Sequence, residues 1–308
     1  MIGLSAVILL IGQVATLPFS LALRQRRVDY GLTEQTLADW SIDLAKNYLL
    51  GLAVTSIALL VLVGCARRWR TWWPAIAGGA CAGLVLAGSY VYPVLVEPLF
   101  NDFSSMPDGD TRSQILALAD DQGVAVDDVL IADASRRTTT LNAYVSGFGD
   151  TRRVVVYDNL IESQPEDQVL SVVAHELAHA KHDDVLVGTG LGAFATLIGV
   201  GLLGLIASSA RVRRRSGVGG LDDPRSVALV LGLMTVATLL ASPVQNTISR
   251  HVELRADLDA LRVSSPEAMV DLQRDLCLRA VCDPTPPAWS QFWFGSHPTV
   301  LERVTIAG

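Results

Sequence analysis

The sequence predicts a mostly α-helical, multi-pass membrane protein of about five transmembrane helices, with a small α+β domain inserted between the third and fourth spans. Three observations carry this prediction. Hydrophobic residues fill 50% of the 308 positions and the mean hydropathy is +0.39, high for a soluble chain of this size. That hydropathy is gathered into charge-free blocks long enough to cross a ~30 Å hydrocarbon core. Between the third and fourth blocks lies a hydrophilic stretch, 101–184, in which strand and helix patterns alternate.

Residues 1–23 carry no charge before Arg24 and form the first span. A cleaved signal peptide would need a basic start and a small-x-small cleavage site, and neither is clear. Arg24 to Lys46 reads as a polar, partly helical connector. The second span fills the gap between Lys46 and Arg67, and the third that between Arg70 and Glu97. Trp72 and Trp73 are placed at an interface, where amphipathic rings settle. The fourth span, from Val185 to Ala210, contains Gly188, Gly190 and Gly192, which would let neighbouring helices approach closely. A basic loop from Arg211 to Arg225 leads to the fifth span, Ser226 to Ser249. The chain thus divides into 1–100 with three spans, an insert at 101–184, a two-span hairpin at 185–249, and a helical tail at 250–308.

Within the insert, Asp110 to Gln122 reads as an amphipathic helix. Val129–Asp133, Leu141–Ser146 and Arg153–Asp158 read as strands, with Gly147-Phe-Gly-Asp150 as turn chemistry between the last two. Ser163-Gln-Pro-Glu166 reads as the start of a further helix, with Ser163 as its cap.

That helix carries the chemistry: Val172-Val-Ala-His175-Glu176-Leu-Ala-His179-Ala-Lys-His182 contains His-Glu-x-x-His. Residues four apart share a helical face, so His175 and His179 can grip one metal ion while Glu176 reaches a water. Imidazole and carboxylate donors with a position left open for water suit Zn2+, one per chain. A third ligand is required. Glu253 and Asp257, four apart after the fifth span, can supply a carboxylate ligand and a hydrogen-bond acceptor for a ligand imidazole. His251 competes as third ligand but points away from that face. His182 shares the face of His179 and is assigned a supporting role. Arg250 is expected to pair with Asp257 or to meet a substrate carboxylate. Crossing parity agrees with a shared site, because two spans separate His175/His179 from Glu253 and return the chain to one membrane side.

The charge of −7 and the lack of a basic stripe exclude a nucleic-acid partner. Cys65 and Cys81 lie in apolar runs as buried thiols. Cys277 and Cys282 lie outside them, where two semi-buried thiols are expected unless an oxidising compartment pairs them.

Taken together, the motifs resemble those of the type I CAAX prenyl endopeptidases, which are integral-membrane zinc metallopeptidases. The resemblance runs through Leu17-Pro-Phe-Ser, Glu97-Pro-Leu-Phe-Asn-Asp-Phe103, Leu141-Asn-Ala-Tyr144, His175-Glu-Leu-Ala-His179, Asn246-x-x-Ser-Arg-x-x-Glu-x-x-x-Asp257 and Ser296-His-Pro-x-x-x-Glu-Arg303. It implies that His175, His179 and Glu253 bind zinc, that Glu176 activates water and that Asp257 supports a ligand imidazole. It implies a substrate-facing edge strand at Asn142, Ala143 and Tyr144, and a role for His297 in steadying the tetrahedral intermediate, with Tyr144 as an alternative donor. The implied partners are the bilayer and a peptide or protein substrate, which in this family is lipidated at its C-terminus; general membrane or short peptides are equally compatible. Relatives with a full set of spans carry further helices ahead of Leu17, so the chamber here is expected to be open or completed by a second copy in a homo-oligomer. A non-proteolytic, zinc-stabilised membrane scaffold or quality-control factor is the alternative, but a purely structural site has no use for Glu176.

Orientation is drawn two ways. Arg67, Arg68, Arg70, Arg211, Arg213, Arg214, Arg215 and Arg225 occupy short segments opposite the site, against Arg24, Arg26, Arg27 and Lys46 beside it. That asymmetry places the site outside the cytoplasm, whereas the eukaryotic relatives are understood to face the cytosol.

Overall fold

The computed structural model describes residues 2–219, 223 and 225–307, so residues 220–222 and 224 of the anticipated basic loop lie outside the described residues. The chain packs as two compact units, taken in turn below.

The first unit comprises residues 1–24, 36–91 and 187–241. Its helices are α1 (Ile2–Asp29), α2 (Leu37–Arg68), α3 (Trp73–Val91), α7 (Asp184–Ser208) and α9 (Ser226–Ala260), of which α1, α7 and α9 extend beyond the unit's edges. Among the described residues five helical segments are long and apolar enough to cross a membrane, in agreement with the hydropathy blocks. Thr36 caps α2 by accepting a hydrogen bond from the Asp39 amide, which fixes where the helix that carries the second span begins.

The close helix approaches differ from those expected. A Cβ on Gly188 or Gly190 would meet nothing within 4 Å, and one on Gly192 would make only ordinary contact with Val85. The tight positions are Gly78, where a Cβ would stand 2.8 Å from Leu197, and Gly204, where it would stand 2.7 Å from Pro74. Trp73, expected at an interface, packs against Gly204 in the buried cluster with Leu62, Ala77 and Leu203. Its neighbour Trp72 is the exposed one of the pair. Hydrogen bonds join the helices where polar groups occur, from Tyr48 to the Ala6 carbonyl and between Ser89 and Thr189.

The second unit comprises residues 25–35, 92–186 and 242–308. A four-stranded sheet has the order β1 (Phe103–Ser105), β2 (Asp128–Ala132), β4 (Arg153–Tyr157), β3 (Ala143–Ser146). The β2–β4 pair is parallel and the two outer pairs are antiparallel. Three strands match expectation with ends shifted by a residue or two; β1 was unforeseen. Gly147 makes the β3–β4 turn at φ +92°, where an added Cβ would collide with the Thr151 carbonyl.

Alternation sorts the two sheet faces. Val129, Val154 and Val156 point into the main core with Ile115 of α4 (Asp110–Asp121) and with Val169, Val173 and Leu177 of α6 (Glu166–Lys181). Leu130, Ala132 and Val155 point the other way, beside Phe103, Tyr144 and Tyr157. The start of α6 corrects the sequence reading. Ser163 closes a short preceding helix, α5 (Asp158–Ser163), through its hydroxyl to the Asn159 carbonyl, and Pro165 occupies the cap position of α6.

The fifth apolar helix does not stop at Ser249. It runs on to Ala260, with Pro243 inside it, and so carries Glu253 and Asp257 in its last turns. Beyond it lie α10 (Pro266–Ala280), α11 (Ala288–Phe294) and α12 (Val300–Ala307), with the short α8 (Ala210–Ser216) earlier in the basic loop. Cys277 and Cys282 are joined as a disulfide at the end of α10, in place of the two thiols expected.

Candidate metal centre

Helical spacing brings the two motif imidazoles together. The Nε2 atoms of His175 and His179 face one another at 3.1 Å. Glu253, from α9, completes the group: its carboxylate lies 3.3 Å from His175 Nε2 and 3.7 Å from His179 Nε2. One donor atom from each residue falls within 4.8 Å of the others, and the remaining candidate, His251, instead bonds the Thr247 carbonyl. Glu253 Oε2 is buried without a hydrogen-bond partner among the described residues. Two imidazole lone pairs and a buried carboxylate oxygen aimed at one point repel each other unless a cation sits there, so the donor set fits a divalent metal ion.

Each imidazole is backed by a carboxylate. Asp257 Oδ1 stands 2.9 Å from His175 Nδ1, and Asp184 Oδ2 stands 2.9 Å from His179 Nδ1. A carboxylate accepts, so each Nδ1–H donates and each Nε2 is turned to the metal position. Asp257 is itself gripped by Arg303 through Nε at 2.8 Å and through Nη2. Asp184 is paired with Arg255. Burial opposes a charge on His175, but the neighbouring carboxylates of Asp257 and Glu253 outweigh it and raise its pKa to about 9 in the metal-free site. Withdrawal from water pushes the Glu176 carboxyl above its ordinary value, against the pull of the neighbouring His175 and His179.

A cleft of ≈180 Å³ opens beside the group, lined by His175, Glu176, Asp257 and His297 together with Asn142. Its apolar wall comes from Val172, Met269, Leu272 and Leu276. His297 Nε2 lies 3.4 Å from Glu253 Oε1.

Other expected residues are placed elsewhere. Ala143 is buried in the core, and Tyr144 turns to the opposite sheet face, its hydroxyl 3.5 Å from Glu97; the strand's alternation separates it from the cleft. His182 caps α6 and bonds Asp259 at 2.7 Å, bracing α6 against α9 without touching the donor cluster. Arg250 does not pair with Asp257, whose oxygens Arg303 occupies; it donates to the Gln291 and Gly295 carbonyls at 3.1 and 2.6 Å. Asp184 and Arg303 are the supports that sequence reasoning passed over, although Arg303 stands in a motif already noted.

A HExxH helix and a glutamate from a membrane-rooted helix, converging on one metal position beside a cleft, define a membrane metallopeptidase. Comparison with known proteins agrees. Residues 105–307 match peptidase family M48, and residues 2–102 match the pattern described as "CAAX prenyl protease N-terminal, five membrane helices". The chain belongs to peptidase family M48. It is 28% identical over 309 residues to the "Uncharacterized metalloprotease YhfN" of Bacillus subtilis (strain 168), covering 99% of this chain and 72% of that protein. It is 29% identical to a "CAAX prenyl protease 1 homolog" of Arabidopsis thaliana, covering 95% of this chain and 69% of the relative. The crystal structure of S. mikatae Ste24p superposes with a TM-score of 0.83 at 22% identity, over 98% of this chain and 76% of that one, which establishes a shared fold. The protein is a multi-pass membrane metallopeptidase acting on peptide or protein substrates.

Proposed function

We propose that the chain is a zinc metalloendopeptidase in which His175, His179 and Glu253 hold one Zn2+ and Glu176 acts as general base. The donor spacing carries this reading. Separations of 3.1, 3.3 and 3.7 Å bracket the edge of about 3.3 Å that a tetrahedron with bonds of about 2.0–2.1 Å requires.

When bound, zinc supplies a Lewis acid that makes water more acidic and polarises a carbonyl. The chain's own groups do the rest. Asp257 and Asp184 fix the tautomers of the two imidazoles. Glu176, with its raised proton affinity, takes a proton from the attacking water and passes it to the departing amine. His297, which lines the cleft, would donate to the developing oxyanion. The terminal strand β3 offers an edge for an extended peptide, with the Asn142 side chain at the cleft and Ala143 contributing backbone only. The apolar wall at Met269 and Leu272 suits a hydrophobic side chain next to the scissile bond.

Several relatives are named CAAX prenyl proteases. For this chain the proposed substrates are accordingly CAAX-type C-termini, lipidated or not, or other membrane-associated peptides, and a second copy in a homo-oligomer is not needed to complete the donor set. Glu176→Gln tests the reading directly. It is expected to retain stoichiometric zinc and lose cleavage by at least about 10²-fold, and a survey of protein termini in cells with active and Glu176→Gln enzyme then identifies substrates. Full turnover by the variant, or activity insensitive to a chelator, would overturn the mechanism.

A further inference from the structure

The segment between Asp283 and His297 contains no charged residue, and its helix, α11, reads Ala-Trp-Ser-Gln-Phe-Trp-Phe. A short tail helix of a water-exposed domain would bury these rings, yet Trp289 is 66%, Phe292 50% and Phe294 65% exposed. Such an aromatic cluster is costly in bulk water and favourable at a lipid headgroup layer, where amphipathic rings gather.

The depth of α11 is fixed by the helix it leans on. The charge-free run of α9 ends at Ser249, so its last two turns lie at the catalytic-side edge of the hydrocarbon. In that stretch the Ser242 hydroxyl and the Asn246 amide both donate to the Trp293 carbonyl, at 3.2 and 2.7 Å. Ser242 and Asn246, near the span's end, are therefore turned to α11. One turn further, Arg250 donates to the Gln291 and Gly295 carbonyls. On α9 itself, Leu240 and Val244 are each 65% exposed, apolar side chains of the charge-free run that the protein leaves uncovered.

We infer that α11 is an interfacial anchor, seated in the headgroup region of the protein's own bilayer through Trp289, Phe292 and Phe294. The anchor is joined to the active site. Gln291 donates to the His297 carbonyl at 2.7 Å, and the His297 imidazole stands beside Glu253. The anchor thus fixes the height of the cleft above the membrane, and the substrates selected are peptide bonds presented close to the bilayer surface. This consequence rests on the proposed peptidase activity; the anchoring does not.

The test uses the full chain in phosphatidylcholine/phosphatidylglycerol nanodiscs, in the Glu176→Gln background so that no turnover is needed. Spin labels are placed singly at Phe292→Cys and Phe294→Cys, with Leu240→Cys as the lipid-facing control and Asp283→Cys as the aqueous one. Collision with oxygen and with a water-soluble nickel chelate reads depth. The expected result is that both α11 labels favour oxygen over nickel as the Leu240 label does. Labels as nickel-accessible as that at Asp283, or labels shielded only after an apolar peptide is added, would overturn the anchor, the second result marking a substrate groove instead. With the active enzyme, Trp289→Ser/Phe292→Ser/Phe294→Ser should lower the ratio of kcat/KM on a bilayer-tethered peptide to that on its soluble counterpart by about tenfold. An unchanged ratio would sink the selectivity while leaving both the peptidase activity and the measured depth to stand on their own results.

Discussion

The two metal-facing imidazoles are held by the same kind of bond in two different settings. His175 is backed by Asp257, whose side chain is 1% exposed and clamped by Arg303, itself 12% exposed. His179 is backed by Asp184, whose partner Arg255 is 44% exposed. The first support is a buried charge network reaching from α6 through α9 to α12. The second is partly open to water, formed where α6 hands over to α7 and closed by Arg255 of α9. Buried charges that lose a partner are penalised far more than solvated ones, so the two sides of one metal centre should respond unequally to equivalent changes.

The sharpest contrast comes from Asp257→Ala. It frees the His175 tautomer and strands Arg303 in the interior. Metal affinity should fall by about 10–100-fold, and the metal-free protein should lose about 3–5 kcal/mol. Competition against a zinc-binding dye and thermal unfolding in detergent measure the two effects. An Asp257→Ala protein as stable as its parent would show that the network is not the keystone argued here.

Next in size is a dependence on pH. In the metal-free protein His175 titrates near 9, above its ordinary value of about 6.5. Its protonated form therefore stabilises the metal-free fold fully below about pH 6.5, and that contribution is lost as pH rises towards 9. Metal needs the neutral ring, so apparent affinity should climb by about tenfold per pH unit across the same window. The metal-free and metal-loaded melting temperatures should consequently diverge as pH rises. Parallel curves would mean that the His175 proton and the metal do not compete.

What was legible in the sequence follows the same divide between local and remote. Spacing along one helix fixed the His175–His179 pair, and spacing along another fixed Glu253 with Asp257, because an i,i+4 relation survives any tertiary arrangement. Charge-free runs fixed the five spans for a similarly local reason. Asp184 escaped notice because no helical period links it to His179: α6 ends at Lys181, Asp183 takes a left-handed conformation at φ 51°, and the reversal brings Asp184 back to the imidazole. Arg303 meets Asp257 across 46 residues, a distance over which pattern carries no register. Its capture of Asp257 also left Arg250 free to serve the α11 carbonyls, against expectation. The helix contacts at Gly78 and Gly204 and the burial of Trp73 are likewise products of how helices cross, which hydropathy does not encode. Three-residue β1 has too few positions to display alternation.

The open side of the centre supplies the smaller effects. Asp184→Ala removes the acceptor for His179 Nδ1 but strands only Arg255, which can turn to water. Metal affinity should fall by about tenfold, with little change in metal-free stability. Arg255→Ala tests the last link, whether Asp184 needs its cation at all. An exposed ion pair contributes about 0–1 kcal/mol, and Asp184 keeps its bond to the imidazole when Arg255 is gone, so the metal affinity should change by less than about threefold. A double-mutant cycle with Asp184→Ala separates the alternatives. If Arg255 acts only through Asp184, the two changes together should weaken metal binding no more than Asp184→Ala alone. Fully additive losses would instead mean that Arg255 reaches the centre by its own route, and the contrast between a buried support and an open one would have to be redrawn.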